Sequence, residues 1–187
     1  MENRIPDHAK KVFEGIMFDV YHWDQEMFDG STQTFEAISK LGSSQVIAIT
    51  TEKKIVLLNE EQPHVGKFIS IPGGHVERDE TPLENAKKEL REEVGMESDK
   101  WEEWIEANIG SKIDWPSNYY IARDCVKVDS QNLEEAGEKI EPYEVDFDTF
   151  IEHTQREDFR NKFLQITIFK MIHTEGELEK FRKLLLD

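Results

Sequence analysis

Residues 71–96 read IPGGHVERDETPLENAKKELREEVGM, and the rest of the chain can be interpreted around this stretch. A short apolar run ends here in a proline and two glycines, Pro72, Gly73 and Gly74. A polar loop follows, and after it comes a segment that is rich in glutamates. This order of residue types predicts a strand, a tight turn, a loop and a helix.

The limits of the helix follow from residues that favour helix ends. Thr81 is a good N-cap, and Glu84 three residues later completes a capping box. Pro82 takes the first helical position, where its missing N–H costs nothing, and Gly95 supplies a left-handed residue that ends the helix. Apolar residues three and four positions apart form one stripe, which consists of Leu83, Ala86, Leu90 and Val94.

Three glutamates of this helix, Glu89, Glu92 and Glu93, are predicted to share a second face. Like charges at this spacing repel by roughly 0.2–0.5 kcal/mol per pair in an isolated helix. A solvated acidic face is the simplest explanation of such a run. However, the diglycine next to it leaves backbone carbonyls accessible, and Mg²⁺ binds carboxylate and carbonyl oxygens together with water. The combination therefore favours a site for a metal ion and a pyrophosphate group.

The segment resembles the Nudix box, G-x5-E-x7-R-E-U-x-E-E-x-G-U, in which U is an aliphatic residue. Gly74 and Glu80 take the first glycine and the first glutamate, and the later fixed positions are matched by Glu89, Leu90, Glu92, Glu93, Gly95 and Met96. Lys88 stands where the family has arginine, so the charge is kept but the bidentate fork is lost. The resemblance implies that Lys88 pairs with Glu77 or Glu80, that these two glutamates hold the loop, and that the loop is looser.

The expected fold is α/β: a Nudix fold, which is an α/β/α sandwich with a mixed sheet, plus an N-terminal antiparallel β region. Runs rich in β-branched and aromatic residues predict strands at 12–21, 33–39, 44–50, 54–58, 119–128 and 138–145. The chain is predicted to turn helical from residue 148 and to end in an amphipathic helix at 175–186. Aromatic and aliphatic residues at helical spacing are predicted to be core, namely Phe159, Phe163, Ile166 and Phe169.

The chain is divided into an N-terminal β region at 1–43 and a Nudix domain at 44–187. The sequence HWDQEMFDGSTQTFE ahead of the box is similar to the ADP-ribose pyrophosphatase branch of the family. In that branch the N-terminal strands pack against a second subunit, so the resemblance implies that residues 1–43 are a dimerisation arm of a homodimer. The alternative is that these strands extend the sheet of their own subunit.

Composition excludes several classes of protein. With 187 residues, 37% hydrophobic and 34% charged, the chain is long enough for one globular domain. A formal net charge of −17 disfavours binding to nucleic acid. No apolar run predicts a transmembrane helix or a signal peptide, and the single cysteine, Cys125, excludes an internal disulfide. The expected location is the cytoplasm.

The resemblance implies hydrolysis of a nucleoside diphosphate linked to another group X, giving a nucleoside monophosphate and phospho-X. Mg²⁺, or Mn²⁺ in its place, would be held by Glu89, Glu93, Glu92 and the carbonyl of Gly73. A general base comes from a late loop in this branch, which here offers Glu134, Glu135 and Glu138. Glu138 matches best, within an E-x-I-E pattern. The predicted catalytic set is Glu92, Glu93, Glu138 and Lys88.

Two positions depart from the ADP-ribose enzymes. Gln62 stands about where those enzymes carry an arginine, and Ser70 stands where they carry a glutamate shortly before the proline. The predicted substrate-binding residues are Gln62, His64 and Arg123, with His75 as a further candidate for a phosphate contact. Each of these could instead be an ordinary surface residue.

Two other functions stay open. A housecleaning hydrolase of nucleoside triphosphates or dinucleotide polyphosphates would use the same box. A non-catalytic Nudix module that binds a nucleotide and signals would typically lose the box glutamates, whereas this chain keeps them all. The small-molecule nucleotide is the expected partner in every case.

Overall fold

The computed structural model describes residues 4–108, 110, 112–128 and 139–187, and within them the chain forms two β-sheets and four α-helices. The strands in chain order are β1 (Lys10–Glu14), β2 (Asp19–Glu26), β3 (Thr32–Ser39), β4 (Ser43–Thr50), β5 (Ile55–Gln62), β6 (Gly66–Ser70), β7 (Gly73–His75), β8 (Met96–Glu97), β9 (Lys100–Asn108), β10 (Ile113–Asp114), β11 (Pro116–Lys127) and β12 (Lys139–Val145). The helices are α1 (Pro82–Glu89), α2 (Phe147–Thr154), α3 (Lys162–Ile172) and α4 (Glu177–Leu186), and a π-helical turn, Leu90–Val94, continues α1.

The N-terminal strands form a four-stranded sheet in the order β1-β2-β3-β10. The first three strands are antiparallel neighbours, and β10 adds to β3 in parallel. The prediction of one strand at 12–21 is wrong, because a turn at residues 15–18 separates β1 from β2. The Gly15 N–H donates to the Phe18 carbonyl at 3.0 Å, and a Cβ at Gly15 would lie only 2.5 Å from that oxygen. Apolar residues on both sides of the turn hide it in the sequence pattern.

The second sheet has eight strands and is mixed. Its main order is β12-β5-β4-β11-β8, while β6 pairs with β5, β7 with β4, and β9 with β11. β4 and β11 run parallel at its centre, and the other pairs are antiparallel. Strand β9, which carries Trp101 and Trp104, was not predicted from the sequence.

The two faces of this sheet carry separate hydrophobic clusters. Successive residues of a strand point to opposite faces, so Val46 and Ala48 face one cluster while Ile47 and Ile49 face the other. Helices α2, α3 and α4 cover the cluster that contains Ile47 and Ile49. Helix α1 with its π-helical turn covers the cluster that contains Val46 and Ala48. The predicted α/β/α sandwich with a mixed sheet is therefore confirmed.

Two residues predicted as core are on the surface instead. Ile166 and Phe169 lie on α3 but are 55% and 52% exposed, whereas Phe159 is fully buried and Phe163 packs against the core from its edge. Phe159 belongs to the segment between α2 and α3, so the four residues do not share one helical face. The break at residues 155–161 shifts the phase of the pattern, which is why the predicted stripe fails.

Among the described residues, none of the helices is both long and apolar enough to cross a membrane.

Candidate active site

Helix α1 is anchored at both ends as its sequence predicts. The Thr81 hydroxyl accepts from the Glu84 N–H, and the Glu84 carboxylate accepts from the Thr81 N–H at 2.8 Å. Pro82 is the first helical residue, and Gly95 closes the helix with a φ of 68°. These local contacts fix where the helix begins and therefore which way its acidic side chains point.

The last turn of this helix is π-helical, which the sequence did not predict. In the turn Leu90–Val94 the Gly95 N–H reaches the carbonyls of both Leu90 and Arg91. Such turns are rare and occur frequently at functional sites. Leu90 and Val94 stay buried in the core, so Glu92 and Glu93 are carried on the half-buried side of the turn.

Two of the three box glutamates lie against the diglycine. The Glu93 carboxylate accepts from the Gly73 N–H at 2.8 Å. The Glu89 carboxylate fills the space beside Gly74, where a Cβ would overlap it, so only glycine leaves room for the carboxylate there. Strand β7 holds both glycines in place by pairing with β4. The structure thus brings Glu89, Glu93 and the Gly73–Gly74 backbone together.

Asn85 holds this arrangement from inside and was missed in the sequence. Its side chain is fully buried, and its amide nitrogen lies 3.0 Å from the His75 carbonyl oxygen, 3.1 Å from Glu80 Oε2 and 3.3 Å from Glu89 Oε1. Its amide oxygen accepts from the Ser44 hydroxyl on β4. The signal that could have revealed it is its spacing, since a residue four positions before Glu89 lies on the same face of the helix.

The polar loop before the helix is held by Lys88. Its ammonium lies 3.1 Å from the Glu77 carboxylate, which confirms the predicted pairing. The hydrogen bond to Glu77 raises the pKa of Lys88, and the negative charges of Glu77, Glu92 and Glu80 raise it further. Because both side chains are substantially exposed, the pair contributes about 1 kcal/mol at most. The loop is braced but not strongly.

The donor atoms at the diglycine suit a hard cation. Glu89 and Glu93 offer carboxylate oxygens, and Mg²⁺ usually binds through one or two carboxylates together with substrate phosphates and water. Within the described part of the chain, no three Asp, Glu, His or Cys side chains cluster tightly enough to hold a metal ion by themselves. The Glu89 and Glu93 carboxylates fit an ion that completes its shell with substrate and water. Gly73, Glu89, Glu92 and Glu93 as its ligands stay a prediction.

The predicted general base cannot be placed. Glu134, Glu135 and Glu138 all lie outside the described residues. Strand β12 begins directly after them at Lys139 and pairs with β5. The assignment of Glu138 as base stays a prediction.

The predicted substrate-binding residues lie in different places. Gln62 is buried at the end of β5, and its amide oxygen accepts from the Arg160 guanidinium at 3.1 Å. His64 is exposed in the turn between β5 and β6. Arg123 lies near the opposite end of the sheet from Gln62. Cys125, two residues further along β11, pairs with Thr50 at the end of β4, which is next to the start of β5, whereas Gln62 is at the end of β5.

Arg123 is occupied by contacts within the fold. Its guanidinium donates to the Leu184 carbonyl on α4 and lies 2.8 Å from the Glu102 carboxylate on β9. The structure therefore does not bring Arg123 together with Gln62. The second departure from the ADP-ribose enzymes, Ser70, donates its hydroxyl to the buried carboxylate of Glu60.

Known proteins are similar to this chain in sequence. The NUDIX domain profile matches residues 41–165, which is more than half of the chain. A methanol dehydrogenase activator from Bacillus methanolicus is 34% identical over 98 residues, or 52% of each chain. An ADP-ribose pyrophosphatase from Bacillus subtilis (strain 168) is 32% identical over 92 residues, or 49% of this chain and 50% of that protein. The matched segments thus span about half the length of these curated relatives.

The fold has a solved counterpart as well. The crystal structure of an ADP compounds hydrolase superposes with a TM-score of 0.69, covering 91% of this chain and 95% of that one at 17% sequence identity. At that identity the likeness concerns the fold alone. Together with the box at residues 74–96 and the profile match around it, these findings show that the chain belongs to the Nudix family.

Proposed function

We propose that this chain is a pyrophosphohydrolase that cleaves a nucleoside diphosphate linked to another group, such as ADP-ribose or a nucleotide sugar. The observation that carries the proposal is the placement of two carboxylates, Glu89 and Glu93, against the Gly73–Gly74 backbone. The similarity to an ADP-ribose pyrophosphatase over half of its length supports this substrate class.

The reaction adds water across a phosphoanhydride. An oxygen from water bonds to one phosphorus, the bridging P–O bond breaks, and the products are a nucleoside monophosphate and phospho-X. The proton that water loses goes to a base, for which Glu138 is the candidate. A divalent ion, Mg²⁺ or Mn²⁺, supplies neutralisation of the diphosphate and a more acidic water.

The residues of this chain position the groups around that reaction. Glu89, Glu93, Glu92 and the Gly73 carbonyl are the proposed ligands of the ion. Asn85 fixes the Glu89 carboxylate from behind, within 3.3 Å. Lys88 holds the polar loop by its ion pair with Glu77. A site built in this way fixes its acids before substrate arrives, which reduces the cost of organising them during the reaction.

We also propose that the protein is a homodimer through the N-terminal sheet, as the resemblance implies for residues 1–43. Several large apolar side chains of this region are exposed, including Phe13, Ile16 and Phe28. An exposed apolar surface of this kind is typical of a protein interface. The single buried cysteine is compatible with the cytoplasmic location proposed from the sequence.

The function is tested with a substrate panel measured with and without Mg²⁺ or Mn²⁺. We expect metal-dependent release of a nucleoside monophosphate and a sugar phosphate. Pyrophosphate release would instead indicate a nucleoside triphosphate hydrolase. Binding of nucleotide without any turnover would indicate a non-catalytic module.

Glu93→Gln tests the site within the same assay. We expect turnover to fall by more than about 100-fold with little change in the unfolding midpoint, because a ligand is lost while the helix remains. Glu152→Gln, an exposed change on α2, is the matched control and is expected to retain full activity. Equal turnover in Glu93→Gln and Glu152→Gln would show that Glu93 is not a ligand of the ion.

A further inference from the structure

A group of cationic side chains lies beside the diglycine. Lys40 follows β3, and its ammonium is 3.1 Å from His75 Nε2 at the end of β7. The same ammonium lies 4.4 Å from the ring centroid of Trp115, which precedes β11. Arg160, between α2 and α3, donates to the Gln62 amide oxygen at 3.1 Å, and burial together with its positive charge lowers the pKa of both Lys40 and His75. These four residues, Lys40, His75, Trp115 and Arg160, are named the cationic cluster.

Arg160 is held in this cluster by several contacts. Its backbone N–H donates to the Ile69 carbonyl at 2.8 Å, and its guanidinium lies 4.6 Å from the centroid of the Phe68 ring. The neighbouring residue, Asn161, accepts from the Ile71 N–H at 3.1 Å and donates to Gln45. Arg160 is thus fixed to the strand that leads directly into the diglycine.

Within the described residues, the cluster is not neutralised by a close ion pair. Neither Lys40, His75 nor Arg160 forms an ion pair with a carboxylate there, although the chain as a whole carries a net charge of −17. Burial lowers the pKa of Lys40, and the positive charge of Arg160 lowers it further. Like charges held close together are destabilising on their own, and an anionic ligand would relieve that repulsion.

We propose that Lys40 and Arg160 bind phosphate oxygens of the nucleoside diphosphate substrate next to Gly73 and Gly74. The guanidinium supplies a planar pair of donors for a phosphate, the ammonium acts as a point charge, and Trp115 holds the ammonium against its ring. This inference rests on the proposed function for the substrate class. The charges by themselves indicate an anionic ligand.

The experiment measures binding of ADP to the full chain in EDTA by isothermal titration calorimetry, so that no metal contributes. Arg160→Met and Lys40→Met remove a charge but keep an apolar stem over Phe68 and Trp115. We expect each to weaken the Kd at least about tenfold, as loss of a charged hydrogen bond does. Lys183→Met removes an exposed charge on α4 and is expected to change the Kd less than twofold.

Hydrolysis supplies a second readout. In metal-loaded hydrolysis we expect Arg160→Met to lower kcat/KM at least about tenfold, because its guanidinium contacts oxygens of the diphosphate that is cleaved. Arg160→Lys keeps the charge and loses the fork, so its effect is expected to be intermediate. If Arg160→Met does not fold, Arg160→Lys and Lys40→Met still decide the question.

The outcomes distinguish this proposal from the proposed function. Wild-type affinity for ADP in both methionine variants overturns the cationic subsite, even if hydrolysis is observed. Failure of the native chain to bind ADP without metal overturns it as well. ADP binding that depends on Arg160, in a chain that hydrolyses none of the panel, supports the subsite and rejects the pyrophosphohydrolase.

Discussion

The two faces of the mixed sheet differ in what their buried residues contribute. The face under α2–α4 is filled with large apolar side chains, among them Phe150, Phe159 and Leu164. The face under α1 has smaller ones, such as Ala48 and Ala86, and it includes the buried amide of Asn85. Apolar burial is non-directional and scales with area, whereas hydrogen bonds have defined directions and lengths. The comparison indicates that one face mainly stabilises the fold and the other mainly positions the acids.

The largest expected effect on stability comes from removing a large side chain from the face under α2–α4. Phe150→Ala removes a fully buried ring and should lower the free energy of unfolding by about 3–5 kcal/mol. The fraction that remains folded should keep its kcat. Chemical denaturation and steady-state kinetics test this, with Phe169→Ala on exposed α3 surface as the control expected within about 0.5 kcal/mol. A lower kcat in the folded fraction of Phe150→Ala would show that the face under α2–α4 also positions the acids.

A change in the face under α1 should cost less stability than Phe150→Ala but should weaken the binding of the metal ion. Asn85→Ala leaves the Ser44 hydroxyl and the His75 carbonyl without their partner, at a cost of about 1–3 kcal/mol. Because Glu89 loses its brace, metal affinity should fall about 10–100-fold, as it does when residues that orient ligands are changed. Titration with Mn²⁺ measures the affinity and denaturation the stability. Native affinity in Asn85→Ala would contradict the positioning role.

The two faces also offer matched helix caps. Thr81→Ala should destabilise the chain by about 1 kcal/mol and lower kcat, because α1 begins at this cap and carries Glu89. Asp146→Ala removes the cap of α2 and should lower stability without changing kcat.

The Asp146 cap should also respond to pH. Its bond to the Thr149 N–H lowers the pKa of Asp146. A lowered pKa in the folded state means that this contribution is present above the unfolded pKa and disappears as the pH falls through the folded one. Denaturation of the native chain and Asp146→Ala at several acidic pH values checks this, since the difference between them should vanish towards low pH.

The smallest effect is expected at the loop. Lys88→Arg keeps the charge opposite Glu77 and can add a second hydrogen bond, so stability should change by less than about 0.5 kcal/mol. Turnover should be unchanged or slightly raised. Lys88→Met, which removes the pair, should lower stability by no more than about 1 kcal/mol. A large loss of turnover in Lys88→Arg would mean that the ammonium has a role that a guanidinium cannot fill.

The parts of the fold set by local contacts could be predicted from the sequence. The ends of α1 follow from Thr81, Glu84 and Gly95, which act on neighbours within one turn. Most strands follow from their composition. The failures, at 12–21 and at Ile166 and Phe169, occur where a turn or a helix break interrupts a pattern without changing its residue types.

The rest of the site depends on contacts between residues that are far apart in the chain. Asn85 reaches Ser44 on β4, and Arg160 reaches Gln62 on β5. Nothing in the residues around position 160 or position 62 indicates that the two meet, because the meeting is produced by the packing of α2 and α3 on the sheet. The sequence therefore predicted the acids of the site but not the residues that surround them.

Gly74 limits how this chain can change over evolutionary time. Any side chain at this position would occupy the space that the Glu89 carboxylate fills. A substitution at 74 makes that carboxylate shift, and shortening residue 89 to aspartate draws the carboxylate back from the diglycine. The two positions cannot drift independently, and every mutational path that starts at either one passes first through a protein whose acid has been moved or lost.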